Sequence, residues 1–365
     1  MIDSHGHPIT GAGEALDLSG ITLEIVADQS ARELRAKSAP TRLSQELMAV
    51  RLSAYFGCAV EELGVARAQV SSDWSGYVSG LFSDAKIEGV VLDPGTYEED
   101  PSATAEAMTK VANCQVRSIM RLDPLLDRMI ADGGTASEIV SAAEVAVRQA
   151  PERGYVGLKT ILAYRTGLNV SPEATLKEAD SSLRSTKDLP TRRRGKALRD
   201  LICRRTLGWA AELNMPIQFH TGFGDSELRL SEANPLALEE LLLTSEGTAA
   251  TVVLIHGSYP WHEELAYLAL VRPNVHAEIS LFNLFAPATI ASRLERVLEL
   301  APSSKVLCGT DGHGSPESYW FAAQALRQAW RTLRQRWAAE GARESWLSAV
   351  EGAIFHTNTA HLYGF

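Results

Sequence analysis

The sequence predicts an α/β fold in which eight parallel strands and their helices form a TIM-like (β/α)8 barrel. Eight short apolar runs, rich in β-branched residues, each end in polar or glycine-containing segments, a pattern typical of buried parallel strands. Helical patterns lie between most of these runs, and strands that alternate with helices form parallel sheets. The chain has 365 residues, of which 45% are hydrophobic, enough for a single barrel domain over residues 1–365.

The predicted strands follow one another at spacings that leave room for a helix and a loop. In chain order they are Met1–His5, Ile87–Asp93, Val116–Leu122, Tyr155–Leu162, Pro216–His220, Thr251–His256, Val275–Leu281 and Lys305–Thr310. The helices predicted between them include Ala136–Ala150, Lys196–Leu213 and Pro235–Leu243. Two further helical segments, Ser318–Ala339 and Trp346–Phe355, are expected to close the barrel.

Two connections are longer than a barrel needs. Residues 8–86 separate the first two strands and contain an amphipathic pattern over Leu43–Phe56 and another around Val60–Ala66. We interpret this segment as a helical insertion over the barrel mouth, serving as a lid or a dimer contact. The second connection, residues 165–195, is polar and is expected to form an exposed excursion.

Composition argues against several classes of protein. The net charge of −10 opposes a nucleic-acid partner, because phosphate binding requires a basic surface. The four cysteines are scattered without a CxxC pair, which predicts neither a zinc ribbon nor a disulfide framework. There is no signal-peptide pattern at the N-terminus and no apolar stretch long enough for a bilayer. These features favour the cytoplasm and no membrane partner.

Histidines and one aspartate stand where predicted strands end. His5 and His7 are separated by one residue, so in an extended chain their side chains point the same way. His220 ends the fifth strand, His256 ends the sixth, and Asp311 follows the eighth. Each alone has a structural explanation, but in a barrel all five converge on the C-terminal face, where active sites lie. Imidazoles with a carboxylate suit zinc, manganese or iron, so the set predicts a metal site.

Lys159 lies inside the apolar fourth strand, where a lysine is costly unless it is paired or neutralised. Three interpretations are open. The amine is carbamylated by CO2, which would make it an anionic ligand that bridges two metal ions. Alternatively, it remains an amine that contacts substrate or Asp311. In the third interpretation it is a structural residue paired with a carboxylate such as Asp123.

Several motifs resemble those of the amidohydrolase-2 group of the amidohydrolase superfamily, and in particular its FluG-type branch. Members of that branch occur alone or fused to a glutamine-synthetase-like domain. The motifs that carry the resemblance are IDSHGH, GLKTILAYRTGL, PIQFHTGFGD, VVLIHGSYP and LCGTDGH, together with AIFHTN and LY near residue 363. The resemblance extends over residues 1–365.

The resemblance implies a (β/α)8 barrel and roles for individual residues. His5, His7, His220 and Asp311 would be metal ligands, and Asp311 would also take a proton from metal-activated water. His256 would be a ligand of a second metal or a polariser of the substrate carbonyl. Lys159, followed by Tyr164, is similar to the carbamylated-lysine strand of hydantoinase-like relatives.

Charged and aromatic residues near the strand ends are candidate substrate contacts. Tyr164 and Arg165 follow the fourth strand and should reach the mouth. Arg121, at the end of the third strand, and Arg165 suit a substrate carboxylate. Asp225 suits an ammonium group, and His313 should line the pocket. The alternative for the charged residues is a salt bridge within the loops.

The predicted function is metal-dependent hydrolysis of a C–N bond, an amide or γ-glutamyl-type amide of a small molecule, with one or two divalent ions. The alternative enzyme is a non-oxidative metal-dependent decarboxylase of a small carboxylic acid, since the group resembled contains such enzymes. A binding protein on an inactive scaffold is disfavoured because every expected ligand is present. We expect a homodimer or higher homo-oligomer. Gly6 and Gly257 are expected to enlarge the pocket.

Overall fold

The computed structural model describes residues 1–10, 16, 37–38, 41–98 and 100–365, and its centre is a parallel β-sheet. The described strands are β1 (Ile2–Ile9), β2 (Gly89–Leu92), β3 (Gln115–Arg121), β4 (Gly157–Thr160), β5 (Ile217–His220), β6 (Val252–Ile255), β7 (Val275–Ile279), β8 (Val306–Cys308) and β9 (Gly312–Gly314). Their order in the sheet is β8-β7-β6-β5-β4-β3-β2-β1-β9, and every pair is parallel. All eight predicted strands are present, which confirms the fold class.

The sheet closes on itself through the chain segment 306–314. Strand β8 pairs with β7 and strand β9 pairs with β1, although only three residues separate β8 from β9. Between them, the Gly309 N–H donates to the Ile279 carbonyl at 2.9 Å and the Asp311 N–H donates to the His5 carbonyl at 2.9 Å. One continuous segment therefore joins the two edges of the sheet and completes a barrel.

Apolar side chains fill the inside of the barrel below the strand ends. Strands β2, β5, β6 and β8 are buried along their whole length, as expected for strands that are covered on both faces. The inner cluster consists of Val91, Ile119, Val253, Ile255, Leu307 and Tyr363. Tyr363 comes from the last helix, and its hydroxyl accepts a hydrogen bond from Gln218 Nε2 at 2.8 Å. The C-terminal helix thus closes the floor of the barrel.

Helices surround the sheet. The α-helices span Leu43–Phe56, Leu63–Val70, Trp74–Asp84, Ser102–Ala112, Asp123–Ala131, Ala136–Gln149, Leu176–Ser185, Lys196–Glu212, Glu239–Leu242, Ser245–Ala249, His262–Val271, Phe282–Phe285, Ile290–Leu300, Pro316–Ala339, Glu344–Gly352 and Asn358–Tyr363. A π-helical turn, Ala353–Thr357, separates the last two. No helix among these residues is both long and apolar enough to cross a membrane.

The described part of the long first connection packs on the side of the barrel. The predicted helix Leu43–Phe56 is confirmed, and Tyr55 and Arg51 on it contact the rings of Trp320 and Phe321 in the helix Pro316–Ala339. The second helix begins later than predicted, and a third, Trp74–Asp84, was not predicted. Much of residues 11–40 lies outside the described residues, so the lid or dimer contact stays a prediction.

The connection 165–195 is less exposed than predicted. Its first part buries Leu168 and Val170, and it contains a helix, Leu176–Ser185, that starts with a capping box from Thr175. Ala179 and Leu183 of this helix are buried. They lie four residues apart and therefore share one face, which packs against the helix Lys196–Glu212. The polar composition reflects the opposite face of the helix.

Two glycines expected to enlarge the pocket make room for aromatic rings instead. A Cβ atom on Gly6 would lie 2.5 Å from the Tyr319 hydroxyl, and one on Gly257 would lie 2.6 Å from the Phe282 ring. Gly312 is the β9 partner of Gly6, and a Cβ on it would be 2.3 Å from the same Tyr319 ring. The small residues therefore permit close packing of the outer helices against the strand ends.

The substitution Gly312→Ala should destabilise the protein, because the added methyl group overlaps the Tyr319 ring and forces it to shift. We expect the free energy of unfolding to fall by about 1–3 kcal/mol, measured by denaturant titration. Gly352→Ala is the control, since nothing lies within 4 Å of the added Cβ, and it should not destabilise. Equal stability of the two variants would contradict the packing described for Tyr319.

Candidate metal centre and active site

A cavity of about 510 Å³ opens at the C-terminal ends of the strands. It is lined by all the residues that the sequence proposed for the site: His5, His7, Arg121, Lys159, Tyr164, Arg165, His220, Asp225, His256, Asp311 and His313. Pro94, Thr96, Ile161, Glu227 and Leu281 are among the lining residues that sequence reasoning did not include. The structure therefore brings the predicted residues together around one cavity.

The tightest cluster in the cavity consists of His5, His7 and Asp311. Their ligand atoms all lie within 4.8 Å of one another, and among the described residues this is the one group of three or more potential metal ligands that does so. Asp311 Oδ1 is 3.3 Å from His5 Nε2 and 3.4 Å from His7 Nε2. The pleat of β1 places both imidazoles on the same side, and the turn after β8 places the carboxylate between them.

The donors of this cluster fit a divalent cation. Both ring nitrogens of His5 and Oδ1 of Asp311 are buried without a hydrogen-bond partner in the described part of the chain. Buried polar atoms of this kind are costly when they are unsatisfied. Two imidazoles and a carboxylate are ligands that zinc and related metals accept, so a bound ion would satisfy these atoms.

His7 is oriented by a contact behind the cluster. Its Nδ1 lies 2.8 Å from the carbonyl oxygen of Asp93. A carbonyl only accepts, so Nδ1 carries a proton, and Nε2 is the ring nitrogen that faces Asp311. Metal-binding histidines are commonly held by such an outer hydrogen bond.

His220 and His256 lie beside the cluster. Their rings are 4.5 Å apart, and the His256 ring is 5.3 Å from that of His5. His220 Nε2 donates to the Phe223 carbonyl at 3.1 Å, so its Nδ1 is the atom that remains for a ligand. Neither residue belongs to the group within 4.8 Å.

Burial keeps several of these imidazoles neutral. Desolvation lowers the pKa of His5 to about 4 and holds the pKa values of His220 and His256 well below the usual value. Burial alone would raise the pKa of Asp311, but the surrounding histidines hold it well below the usual value. Neutral imidazoles and an ionised carboxylate are the forms that bind metals.

Lys159 is fully buried beside the cluster, and its amine makes no hydrogen bond or ion pair with any residue that the structure describes. Desolvation lowers its pKa to about 8, although the charge of Asp93 opposes the shift. Asp123 accepts instead from the Ile161 N–H at 2.9 Å. The interpretation of Lys159 as the ion-pair partner of Asp123 is therefore wrong, while the carbamylated form and the amine stay open.

The two arginines of the cavity each have a carboxylate partner. Arg121 Nε donates to Asp93 Oδ2 at 3.1 Å, and Arg165 Nε donates to Asp127 Oδ2 at 2.9 Å. The salt bridges considered as an alternative are therefore present. Nη2 of each arginine contacts the same aspartate oxygen, at 2.5 Å in Arg121 and 2.8 Å in Arg165. This leaves Nη1 of each arginine without a hydrogen bond to the described residues.

Tyr164 and Asp225 also line the cavity. The Tyr164 hydroxyl accepts from the backbone N–H of Asp225 at 2.9 Å and lies against the His220 ring. The Asp225 carboxylate has no hydrogen bond or ion pair within the described ranges, and burial raises its pKa. His313 Nδ1 donates to the Asp311 carbonyl at 3.0 Å.

Two buried carboxylates beneath the metal cluster were missed by sequence reasoning. Asp3 accepts from the backbone N–H of Thr310 at 2.8 Å and from that of His5 at 3.3 Å. Glu278 accepts from the backbone N–H of His256 at 3.0 Å and from two serine hydroxyls. Glu278 had a signal, since it interrupts an apolar strand as Lys159 does.

Comparison with known families identifies the fold and the class of enzyme. A family model described as amidohydrolase matches residues 94–365, so the chain belongs to this family. The matched segment contains Lys159, His220, His256 and Asp311 and begins after His5 and His7. The expected resemblance is confirmed.

Individual relatives agree with this assignment. Protein fluG of Emericella nidulans is 26% identical over 398 aligned positions that cover 100% of this chain and 45% of that protein, so the chain spans less than half of this relative. A Lactobacillus casei structure, provisionally described as a metal-dependent hydrolase, is 25% identical with a TM-score of 0.86 and covers 100% of this chain and 95% of that one. Uronate isomerase of Thermotoga maritima, 14% identical with a TM-score of 0.69 and coverage of 100% and 94%, shares the fold.

The buried carboxyl of Glu278 should make stability depend on pH. Desolvation raises its pKa to about 8, against about 4.3 in an unfolded chain. The folded state then binds more protons across this interval, so its stability falls as the pH rises through it. In metal-free protein, the free energy of unfolding should fall relative to Glu278→Gln by roughly 1–4 kcal/mol between pH 5 and 8 and level off above. A stability difference independent of pH would contradict this.

Proposed function

We propose that this member of the amidohydrolase family hydrolyses a C–N bond in an amide or γ-glutamyl-type amide of a small molecule, using a divalent metal to activate water. The observation that carries the proposal is the buried cluster of His5, His7 and Asp311 at the strand ends, where unsatisfied donors suit a metal. His220, His256 and Lys159 line the same cavity. The fold alone does not specify the reaction, since a uronate isomerase shares it. The choice of C–N bond hydrolysis is therefore our proposal.

The metal would be held by His5, His7 and Asp311, with His220 or His256 as further ligands. We propose zinc, with manganese or iron as alternatives, and one or two ions. A carbamylated Lys159 would favour two ions. When bound, such an ion lowers the pKa of a water molecule and polarises a carbonyl group.

Asp311 is suited to move the proton. Its pKa lies well below the usual value, so it is ionised at neutral pH and accepts a proton from the attacking water. Its carboxylate would then pass this proton to the departing nitrogen. His256 would serve as a ligand or contact the substrate carbonyl. Lys159, if it remains an amine, would stabilise negative charge that develops at the reacting carbonyl.

The cavity walls favour a substrate that carries both an ammonium group and a carboxylate. Asp225 is partly buried and without a cationic partner among the described residues, so an ammonium group would compensate it. In the same cavity, Arg121 and Arg165 would bind a carboxylate through the Nη1 groups that their aspartates leave free. An amino-acid-like amide carries both groups, which supports the γ-glutamyl-type substrate.

A decarboxylase of a small carboxylic acid is the second candidate. The buried amine of Lys159 and the nearby Arg121 would attract a carboxylate toward the metal cluster. An unmodified Lys159 with one ion would favour this reaction, whereas a carbamylated Lys159 with two ions would favour hydrolysis.

We further propose a cytoplasmic location and a homo-oligomer with contacts through residues 8–86.

Zinc binding tests the metal site directly. We expect metal-free protein to bind zinc, and Asp311→Ala to weaken binding by more than about 100-fold, since even outer-shell changes cost 10- to 100-fold. The readout is competition with a chromophoric chelator. His361→Ala, which changes an exposed histidine, should bind zinc as the wild type does. Equal affinity in all three proteins would contradict the site.

A product assay distinguishes the two reactions. Zinc-loaded protein is incubated with N-acyl and γ-glutamyl amides, with amine release as the signal, and with small aromatic and unsaturated acids, with CO2 release as the signal. Hydrolysis predicts amine release that Asp311→Asn abolishes. Release of CO2 without amine release would replace the first proposal by the second.

Asp225→Asn tests the ammonium contact. For an amide that carries an ammonium group we expect KM to rise roughly 10- to 100-fold, as loss of a charge-assisted hydrogen bond implies. The matched amide without this group is the internal control, and its KM should be unchanged. A similar change for both substrates would show that Asp225 does not bind the ammonium.

A further inference from the structure

The Glu278 carboxylate lies at the end of β7, inside the barrel and completely buried. Its Oε1 accepts from the Ser4 hydroxyl at 2.8 Å. Its Oε2 accepts from the Ser280 hydroxyl at 2.8 Å and from the backbone N–H of His256 at 3.0 Å. One side chain therefore ties β1, the end of β6 and β7 together directly beneath the metal cluster.

The same Ser280 hydroxyl also contacts the His256 ring, with Oγ 2.8 Å from Nδ1. A serine hydroxyl has a single proton to donate, and here it is donated to Glu278 Oε2. The oxygen of Ser280 must then accept from His256, which places a proton on Nδ1. We place any proton bound by Glu278 on Oε1, because Oε2 accepts from the fixed backbone N–H of His256, whereas the one hydrogen-bond partner of Oε1 among the described residues is the Ser4 hydroxyl.

We propose that Ser280 and Glu278 are positioning residues that fix His256 as the neutral Nδ1–H tautomer, with the Nε2 lone pair directed into the cavity. An imidazole in this form accepts a metal or a proton at Nε2, and it has no N–H there to donate to a substrate carbonyl. The inference rests on the proposed function and decides between its two roles for His256. The residue is a ligand or proton acceptor, and not a hydrogen-bond donor to substrate.

The surroundings leave little freedom for another arrangement. A Cβ on Gly309 would lie 2.3 Å from Glu278 Oε1 and 2.8 Å from Ser4 Oγ, so the carboxylate occupies space that only glycine leaves open. His256 itself has a φ of 69°, a conformation that needs support from its neighbours. The Glu278 bond to the His256 N–H supplies that support.

Nitrogen NMR of histidine-labelled, metal-free protein at neutral pH tests the tautomer. Long-range proton–nitrogen spectra distinguish a protonated ring nitrogen from one with a lone pair, and the signals absent in His256→Gln identify this residue. We expect His256 to show a protonated Nδ1 and an unprotonated Nε2. A protonated Nε2 in the wild-type protein would be enough to overturn the proposal.

Two serine variants then separate the positioning role from general stability. Ser280→Ala removes the acceptor for Nδ1–H, so an Nε2–H population should appear. Ser4→Ala removes another hydrogen bond to the same carboxylate without touching the ring, and the Nδ1–H form should persist. An unchanged spectrum in folded Ser280→Ala would contradict the inference. These spectra need neither metal nor substrate. Their outcome is therefore independent of the hydrolysis assay, and failure of one proposal can be distinguished from failure of the other.

Discussion

The hydrogen bond from the Asp311 N–H to the His5 carbonyl joins the two edges of the sheet, and the arrangement of the site depends on it. Residues 306–314 pair with β7 at one end and with β1 at the other. Asp311 stands at the bend between these two halves, with a φ of 54°. The same chain segment thus closes the barrel and places a carboxylate between His5 and His7.

Below this junction, buried carboxylates organise the residues that face the cavity. Asp3 binds the Thr310 backbone next to Asp311, and Glu278 binds the backbone of His256. Asp93 binds Arg121 through its side chain and His7 through its carbonyl. Burying a carboxylate without partners costs free energy, and each of these three is stabilised by several donors. The same hydrogen bonds hold the proposed metal ligands in fixed positions.

The strands and the cavity residues could be predicted because both follow local rules. Period and β-branched composition mark the strands, and parallel strands place their ends at one face. The helix Leu176–Ser185 was missed because its buried face is only two residues, Ala179 and Leu183, in a polar stretch. The partners of Arg121 and Arg165 were beyond prediction, because they depend on contacts between distant strands and loops. Glu278 looked like an interruption of an apolar run, and only the assembled barrel provides its donors.

The junction also constrains the order in which the chain acquires its structure. Asp3 and Thr310 are 307 positions apart, so during synthesis β1 has no second neighbour until nearly the whole barrel has left the ribosome. Until then the half-formed sheet carries an open edge, which is a surface for erroneous pairing. Contacts so distant in sequence make for slow maturation. Assembly of the metal cluster would therefore be a late step that reports completion of the whole domain.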